Sequence, residues 1–280
     1  MLAVRRAIGW SILFAGTAAV DRLCTGAAPI ERMLALIAFA MLAMKAIVVI
    51  EERASGMPPL PIGRVLAFSL AWLGMRPRVF ASRAEGALPG AAELVQRGGR
   101  RLVLGVALVC VARLARHAPL LATPILLVAL SLVLHFGVCT LLAGFWRSRG
   151  FDCEAPFRAP LSSAGLSEFW SRRWNVGFSE MTAIAVFRPL AERIGRAPAV
   201  MAGFVFSGLL HEMAISLPVR AGFGGPMLYF VIQGALVLAE RRRSPFGRAW
   251  TLACVALPLP LLFHRPFLEG VIGPIIGIGR

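Results

Sequence analysis

Two short stretches of the chain combine polar and charged side chains in a pattern suited to proton chemistry. The first, residues 167–175, mixes aromatic and arginine side chains and ends in an amide, Asn175. The second, residues 207–212, places the imidazole of His211 next to the carboxylate of Glu212. A neutral imidazole can accept a proton. His211 is therefore the first candidate for a catalytic base, and the amide of Asn175 is a polar group that a simple membrane anchor would not use.

The second stretch lies in an apolar run between two prolines. Pro198 suits the first turn of a helix and Pro218 cannot continue one, which leaves about 20 residues, or about 30 Å of helix. His211 lies well inside this run and shares its face with small residues such as Ser207 and Gly208. An ionisable side chain inside a membrane is functional by default. The alternative is a structural histidine that is hydrogen-bonded to a neighbouring helix.

The first stretch is compatible with a short helix that carries functional side chains. Ser167 is a suitable N-cap, and Glu168 is favourable at the positive end of the helix dipole. In a helix, Trp170 and Trp174 share one face, and Glu168 can pair with Arg172. The alternative interpretation is a simple interfacial anchor, because Trp and Arg side chains are common at lipid headgroups.

The elements that must position these residues are apolar helices. The chain has 280 residues, of which 58% are hydrophobic, and a mean hydropathy of +0.75. A soluble domain has about 45–50% apolar residues, and here the excess lies in runs long enough to cross a bilayer. The net charge of +16 would suggest nucleic acid as the partner of a soluble chain. Because the arginines lie at the ends of apolar runs, we instead predict an all-α, polytopic membrane protein that binds membrane lipids and no nucleic acid.

We place nine helices along the chain and predict eight crossings, give or take one. They form a single domain, residues 1–280, whose motif-bearing core covers about 150–240. Polar loops are expected at 76–101 and 147–178, and the arginines of the first loop and of 241–243 favour the cytoplasmic side. The predicted helices cover residues 7–20, 33–50, 60–75, 102–115, 119–146, 179–192, 198–217, 223–240 and 247–264.

Other reactive side chains point to less specific roles. Five cysteines lack a C-x-x-C spacing, so we interpret them as small core residues in a reducing environment and predict neither a disulfide framework nor a metal site. The residues after His211 lack the second histidine of a zinc-protease helix. His135 is a second histidine in an apolar run, without a polar neighbour, and we interpret it as structural, with a site role as the alternative.

Both stretches resemble signatures of the membrane-bound O-acyltransferase superfamily, in its wax-synthase-like branch. Residues 169–175, FWSRRWN, are similar to the FWxRRWN signature of that branch, and residues 207–212, SGLLHE, are similar to its SGxxHE signature. The spacing of 36 residues from Asn175 to His211 also fits the branch. The resemblance covers about 150–240 and is loose before it.

The resemblance implies transfer of an acyl group from acyl-CoA to a hydroxyl, in an internal tunnel of the helical bundle and without a further cofactor. It implies that His211 is the general base and Asn175 its partner amide, which would either orient the acceptor or donate a hydrogen bond to the developing oxyanion. The side chains that we interpret as substrate contacts are Trp170, Arg172, Arg173, Trp174, Ser207 and Glu212. Among these, the two arginines would bind the phosphates of coenzyme A.

The acceptor implied by the branch is a hydroxyl-bearing, lipid-like molecule, in the first place a long-chain alcohol. A sterol, a lysolipid, a sugar or a secondary metabolite are alternatives. Only one of the thirty basic residues is a lysine, Lys45, which is typical of GC-rich bacterial genomes. We therefore expect the bacterial cytoplasmic membrane as the location.

A proton-coupled transporter is the rival interpretation from another class, because His211 and Glu212 could relay protons. Such transporters favour internal repeats with broken helices in both halves, and the sequence shows neither. A purely structural role in the membrane would leave the presence of Asn175 and His211 in these two stretches unexplained.

Overall fold

The computed structural model describes residues 2–240 and 247–278, and within these ranges the regular structure is entirely helical. The all-α prediction is therefore confirmed. The arginines of 241–243, on which part of the topology prediction rested, lie outside the described residues. In chain order the main helices are α1 (Leu2–Leu23), α2 (Pro29–Ala54), α3 (Ile62–Leu70), α4 (Ala91–Leu114), α5 (Pro119–Ser148), α6 (166–173), α7 (176–194), α8 (Arg196–Val219), α9 (Gly225–Ala239), α10 (Gly247–Leu262) and α11 (Arg265–Ile276).

All nine predicted helices are present, and the main differences lie in the two predicted loops. Most of the loop at 147–178 is irregular, but it contains α6. The other loop ends early, because α4 begins at Ala91 instead of 102. The arginine-rich start of α4 is held by close packing against α5. A Cβ on Gly98 would lie 2.8 Å from the Leu141 N, and one on Gly144 would lie 2.9 Å from the Val95 N. Such small-residue contacts let helices approach closely in membranes.

Among the described residues, three helices, α2, α5 and α8, are long and apolar enough to cross a membrane. The pair α10 and α11, bent by 72°, makes a fourth crossing if the two count as one span. α9 is apolar but has only 15 residues. The chain is thus a helical membrane protein, while eight crossings are not confirmed by the described residues.

α8, which carries the predicted base, is packed on two sides. Phe206 belongs to an apolar cluster shared with α1 and α2, whereas Ile215 belongs to a cluster shared with α9. At Gly208 a Cβ would lie 3.0 Å from the Met227 Cα, so α8 and α9 are in close contact. These contacts fix the orientation of the side chains on α8. Pro218 lies inside the last turn of α8, one residue before its end, rather than beyond it.

Candidate active site

His211 lies on α8 immediately before a π-helical turn, Glu212–Ser216. Its ring is partly buried, and its Nδ1 lies 2.7 Å from the carbonyl oxygen of Ser207, one turn earlier. A carbonyl oxygen only accepts hydrogen bonds, so in the neutral ring Nδ1 carries the proton and Nε2 keeps its lone pair. The local structure therefore prepares Nε2 to accept a proton. π-turns are frequently found at functional sites.

Glu212, the neighbour of His211, uses its carboxylate to cap α9. Its Oε1 accepts hydrogen bonds from the backbone N–H groups of Gly224 and Met227, at 2.9 and 3.0 Å. A carboxylate is favourable at a helix N-terminus. The other oxygen, Oε2, is buried without a hydrogen-bond partner among the described residues. The substrate contact predicted for Glu212 stays a prediction, and so does that of Ser207, whose side chain is buried.

The N-terminus of α6 is capped from a distant part of the chain. The carboxylate of Glu240, at the end of α9, accepts hydrogen bonds from the backbone N–H groups of Leu166 and Ser167, at 2.8 and 3.1 Å. Ser167 therefore lies within α6, and the prediction that it is the N-cap is wrong. The contact ties the first motif to the helix that packs against His211.

The second half of α6 is a π-turn, Phe169–Arg173, and this changes the ion pairing. Glu168 pairs with Arg173, at 2.6 Å, and not with Arg172 as predicted, since a π-turn joins residues five apart. The N–H of Ala164 and the Arg173 guanidinium hold the pKa of the Glu168 carboxyl below its usual range. Arg172 is exposed, and no ion pair to it is found within the described ranges.

The two tryptophans of the first motif contact different parts of the molecule. Trp170 Nε1 donates to Gln233 Oε1 of α9, at 3.1 Å, and its ring centroid lies 5.7 Å from that of Phe230. Trp174 has an extended backbone and stacks on Phe169, with centroids 5.7 Å apart. The prediction of one shared helical face is wrong, because α6 ends before Trp174.

Asn175 starts α7 in the left-handed backbone region, with a φ of 44°. Its Oδ1 accepts a hydrogen bond from the Phe178 N–H, at 3.3 Å. Asparagine tolerates this conformation because its short polar side chain can bond locally. In the part of the chain that the structure describes, no partner is found for the Nδ2 donors, which leaves them free to bind a substrate.

His135 lies beside the first motif, in a π-helical segment of α5, Leu132–Val138. Its ring centroid lies 4.6 Å from that of Phe157 and 5.6 Å from that of Trp174. Its Nδ1 lies 3.1 Å from Ser131 Oγ. The expectation that His135 has no polar neighbour is therefore wrong, and the serine one helical turn earlier was the signal in the sequence.

Trp170 connects the two candidate catalytic residues. Its ring packs on Phe230, whose centroid lies 4.3 Å from that of His211. Its carbonyl oxygen accepts a hydrogen bond of 2.5 Å from Ser179, one turn into the helix that Asn175 begins. No hydrogen bond between Asn175 and His211 is found among the described residues. The two motifs therefore meet through an aromatic layer.

Two cavities of about 530 and 140 Å³ lie near the first motif. Arg173 lines the larger one and Val176 lines the smaller one, while Cys153 lies in both walls. Burial raises the pKa of the Cys153 thiol to about 12. Over the described residues, neither wall includes His211 or Asn175. The predicted internal tunnel is thus not confirmed.

Residues 153–232, which contain both motifs, match the sequence model of the Membrane bound O-acyl transferase family. The chain is 32% identical over 112 residues to the probable long-chain-alcohol O-fatty-acyltransferase 7 of Arabidopsis thaliana. This alignment covers 36% of this chain and 33% of the relative. It is also 28% identical over 100 residues to the long-chain-alcohol O-fatty-acyltransferase of Simmondsia chinensis. That alignment covers 32% of this chain and 28% of the relative. The aligned part spans about a third of the length of these relatives. Over the segment that carries both motifs, the resemblance to the wax-synthase-like branch of the membrane-bound O-acyltransferases is thereby confirmed.

Proposed function

We propose that this protein is an acyl-CoA-dependent O-acyltransferase that moves a fatty acyl group onto a hydroxyl acceptor. The observation that carries the proposal is the contact of His211 Nδ1 with the Ser207 carbonyl oxygen, because it leaves Nε2 free as the base. The names of the relatives support a long-chain alcohol as the acceptor. The hydroxyl of a sterol, a lysolipid, a sugar or a secondary metabolite would serve the same chemistry.

In the proposed reaction, His211 Nε2 takes the proton of the acceptor hydroxyl as its oxygen attacks the thioester carbonyl of acyl-CoA. The carbonyl oxygen becomes an oxyanion, to which Asn175 Nδ2 donates a hydrogen bond. The carbon–sulfur bond then breaks, and His211 returns the proton to the leaving thiolate. The products are an ester and coenzyme A. Neither an acyl-enzyme nor a cofactor is required, because both substrates react while bound side by side.

The reaction would take place in a bundle that crosses the membrane about eight times and encloses a tunnel between the motifs. Three long apolar helices and the bent pair support the membrane setting, and α1 packs along α2 while α4 packs along α5. The bacterial cytoplasmic membrane is proposed from the arginine-rich composition alone, since the relatives named above are plant proteins.

The hydrogen bonding of Glu212 weighs against a proton-coupled transporter. Its carboxylate accepts two backbone N–H groups from the start of α9. Within the described residues it makes no hydrogen bond to His211. The carboxylate is therefore engaged by the start of α9 and not by the imidazole, which gives a relay between the two side chains no support.

Ester formation by the purified protein in detergent tests the proposal. The substrates are radiolabelled palmitoyl-CoA and a panel of a long-chain alcohol, a sterol, a diacylglycerol and a lysolipid. We expect an ester with the alcohol and a loss of at least about 100-fold in His211→Ala, because a positioned base typically contributes about 10²–10⁴-fold. His117→Ala, which removes an exposed imidazole outside both motifs, is the matched control and should keep full activity.

Equal activity of the two folded variants would overturn the role of His211. If no acceptor on the panel is esterified, and vesicles show proton-coupled flux that His211→Ala abolishes, the transporter class replaces the proposal.

A further inference from the structure

A basic cavity lies between α4, the end of α5 and the loop before α6. Its volume is about 530 Å³, which is within the range of small-molecule pockets, about 300–1,000 Å³. Its wall combines five arginines with two glutamates: Arg97, Arg101, Arg147, Arg158 and Arg173 with Glu93 and Glu154. This excess of positive charge favours an anionic ligand.

Two of these arginines form no ion pair with any residue that the structure describes. The other three form ion pairs, which join Arg147 to Asp152, Arg158 to Glu154 and Arg173 to Glu168. Arg97 and Arg101 lie one turn apart on α4, and within residues 2–240 and 247–278 neither has an ion-pair partner. Arg101 is partly buried over the Phe136 ring, at 5.6 Å, and like charges one helical turn apart on the same helix repel each other. An anion between them would relieve this repulsion.

A buried hydroxyl in the same wall also lacks a partner. Thr140 of α5 is only 1% exposed, and its Oγ1 makes no hydrogen bond within the described ranges. An unsatisfied buried polar group is costly and rare in folded proteins. An acceptor atom of a ligand in the cavity would satisfy this hydroxyl.

The start of α4 adds to the positive potential. Pro89 and Gly90, which precede α4, lie in the wall, and no side chain caps the first N–H groups of this helix of 24 residues. The positive end of the helix dipole therefore faces the cavity region, with Glu93 in the first turn as a partial counter-charge.

We propose that this cavity binds a phosphate group, with Arg97 and Arg101 as counter-charges and Thr140 as a hydrogen-bond donor. A phosphate has enough acceptor oxygens to bind two guanidinium groups and a hydroxyl at once. The phosphate belongs either to the coenzyme A part of the acyl donor or to the headgroup of an anionic phospholipid. In the first case the inference rests on the proposed function, and in the second case it stands without it.

The wall of the cavity adjoins the first motif, which makes a bound phosphate relevant to the candidate active site. Phe157 lines the cavity, and its centroid lies 5.1 Å from that of Trp174, the residue before Asn175. Arg173 lines the cavity as well. A ligand held here would therefore lie one aromatic layer away from the amide.

Binding assays that need no turnover test the proposal on the purified full chain in neutral detergent. One arm titrates coenzyme A by calorimetry, and the other measures by native mass spectrometry how much phosphatidylglycerol the protein retains. Arg101→Gln should weaken binding about tenfold in one of the arms, since charge-assisted hydrogen bonds are strong. Arg100→Gln makes the same charge change on the exposed face of α4, outside the cavity wall, and should change affinity less than twofold.

Thr140→Val separates binding from folding. Because the hydroxyl has no partner in the free protein, its removal should leave the melting temperature unchanged or raise it, and still weaken binding about tenfold. A loss of coenzyme A affinity in Arg101→Gln and Thr140→Val assigns the site to the acyl donor. A loss of phosphatidylglycerol assigns it to the lipid. Affinities that match those of Arg100→Gln in both arms would overturn the proposal, whatever the outcome for acyl transfer.

Discussion

At the scale of the residue, the two ends of the Asn175 amide have separate tasks. The oxygen accepts a hydrogen bond from the Phe178 N–H and so helps to start α7. The nitrogen carries the donors that the proposed mechanism uses for the oxyanion. A substitution that keeps the oxygen and removes the donors can therefore separate folding from catalysis.

We expect Asn175→Asp to fold normally and to lose most of the acyl transfer. Aspartate also caps helices and tolerates the left-handed backbone, but its carboxylate has no hydrogen to donate and repels an oxyanion. Loss of one oxyanion donor typically lowers kcat by about 10²–10³-fold. The measurement is kcat for ester formation together with the melting temperature.

Asn175→Gly is the companion variant, because glycine keeps the backbone conformation while losing both ends of the amide. It should lose activity and also a little stability. Wild-type kcat in Asn175→Asp would rule out the amide as a donor.

The sequence was sufficient to predict which residues form the candidate site, but not which residues they contact. His211 was predicted because an imidazole is unusual in an apolar run, whereas Asn175, at the end of an arginine-rich stretch, takes its predicted role from the resemblance. The capping of α9 by Glu212 was not predicted, because it depends on how closely α8 approaches α9. The same holds for the contact of His135 with Trp174, which joins residues far apart in the chain.

At the scale of the element, α6 depends on a cap from another helix. It has only eight residues, and its last turn is π-helical. The Glu240 carboxylate accepts two hydrogen bonds from the first N–H groups of α6. Helices this short have little stability of their own, so tertiary contacts must hold them in place.

Removal of this cap should destabilise the protein in steps. Glutamine keeps one acceptor oxygen and alanine keeps none, so we expect stability to fall from wild type to Glu240→Gln to Glu240→Ala. The full loss should be about 1–2 kcal/mol, the range for a lost helix cap. The melting temperatures of the three proteins in detergent measure this order of stability.

Glu192→Ala is the control, since Glu192 is an exposed carboxylate on α7 and its change should have little effect. If Glu240→Ala melts at the same temperature as Glu192→Ala, the cap does not stabilise α6.

The long helices were predictable because their signal is local. An apolar run of sufficient length specifies a helix without reference to the rest of the chain. α6 was only partly predictable, since its cap lies more than seventy residues further along. The π-turns beside His211 and in α6 have no local pattern of their own. The start of α4 was missed because packing against α5 overrides its polar composition.

At the scale of the whole molecule, several charges on apolar helices are neutralised by partners from other segments. Arg6 of α1 pairs with the buried Glu51 of α2, at 2.6 Å. The buried Arg32 of α2 pairs with Asp21 of α1. Such pairs let charged side chains lie within a membrane protein. They also fix how α1 and α2 pack.

Lys45, the only lysine of the chain, makes a link of another kind, to backbone carbonyl oxygens. Its side chain is 2% exposed, and Nζ donates to the carbonyl oxygens of Phe68, Trp72 and Gly74, at 2.6, 2.7 and 3.1 Å. This segment in turn supports α7, because a Cβ on Gly177 would lie 3.1 Å from the Gly74 Cα. Lys45 therefore connects α2 to the helix that Asn175 begins.

Lys45→Met should destabilise the protein strongly, although methionine fills a similar space. The substitution leaves three buried carbonyl oxygens without their donor, and each unsatisfied group costs about 1–3 kcal/mol. We expect a loss of at least about 3 kcal/mol, measured by denaturant unfolding in detergent. Arg22→Met removes one exposed positive charge from α1 and should shift the midpoint little. Equal midpoints for both variants would show that the contacts of Lys45 do not hold α2 and the 68–74 segment together.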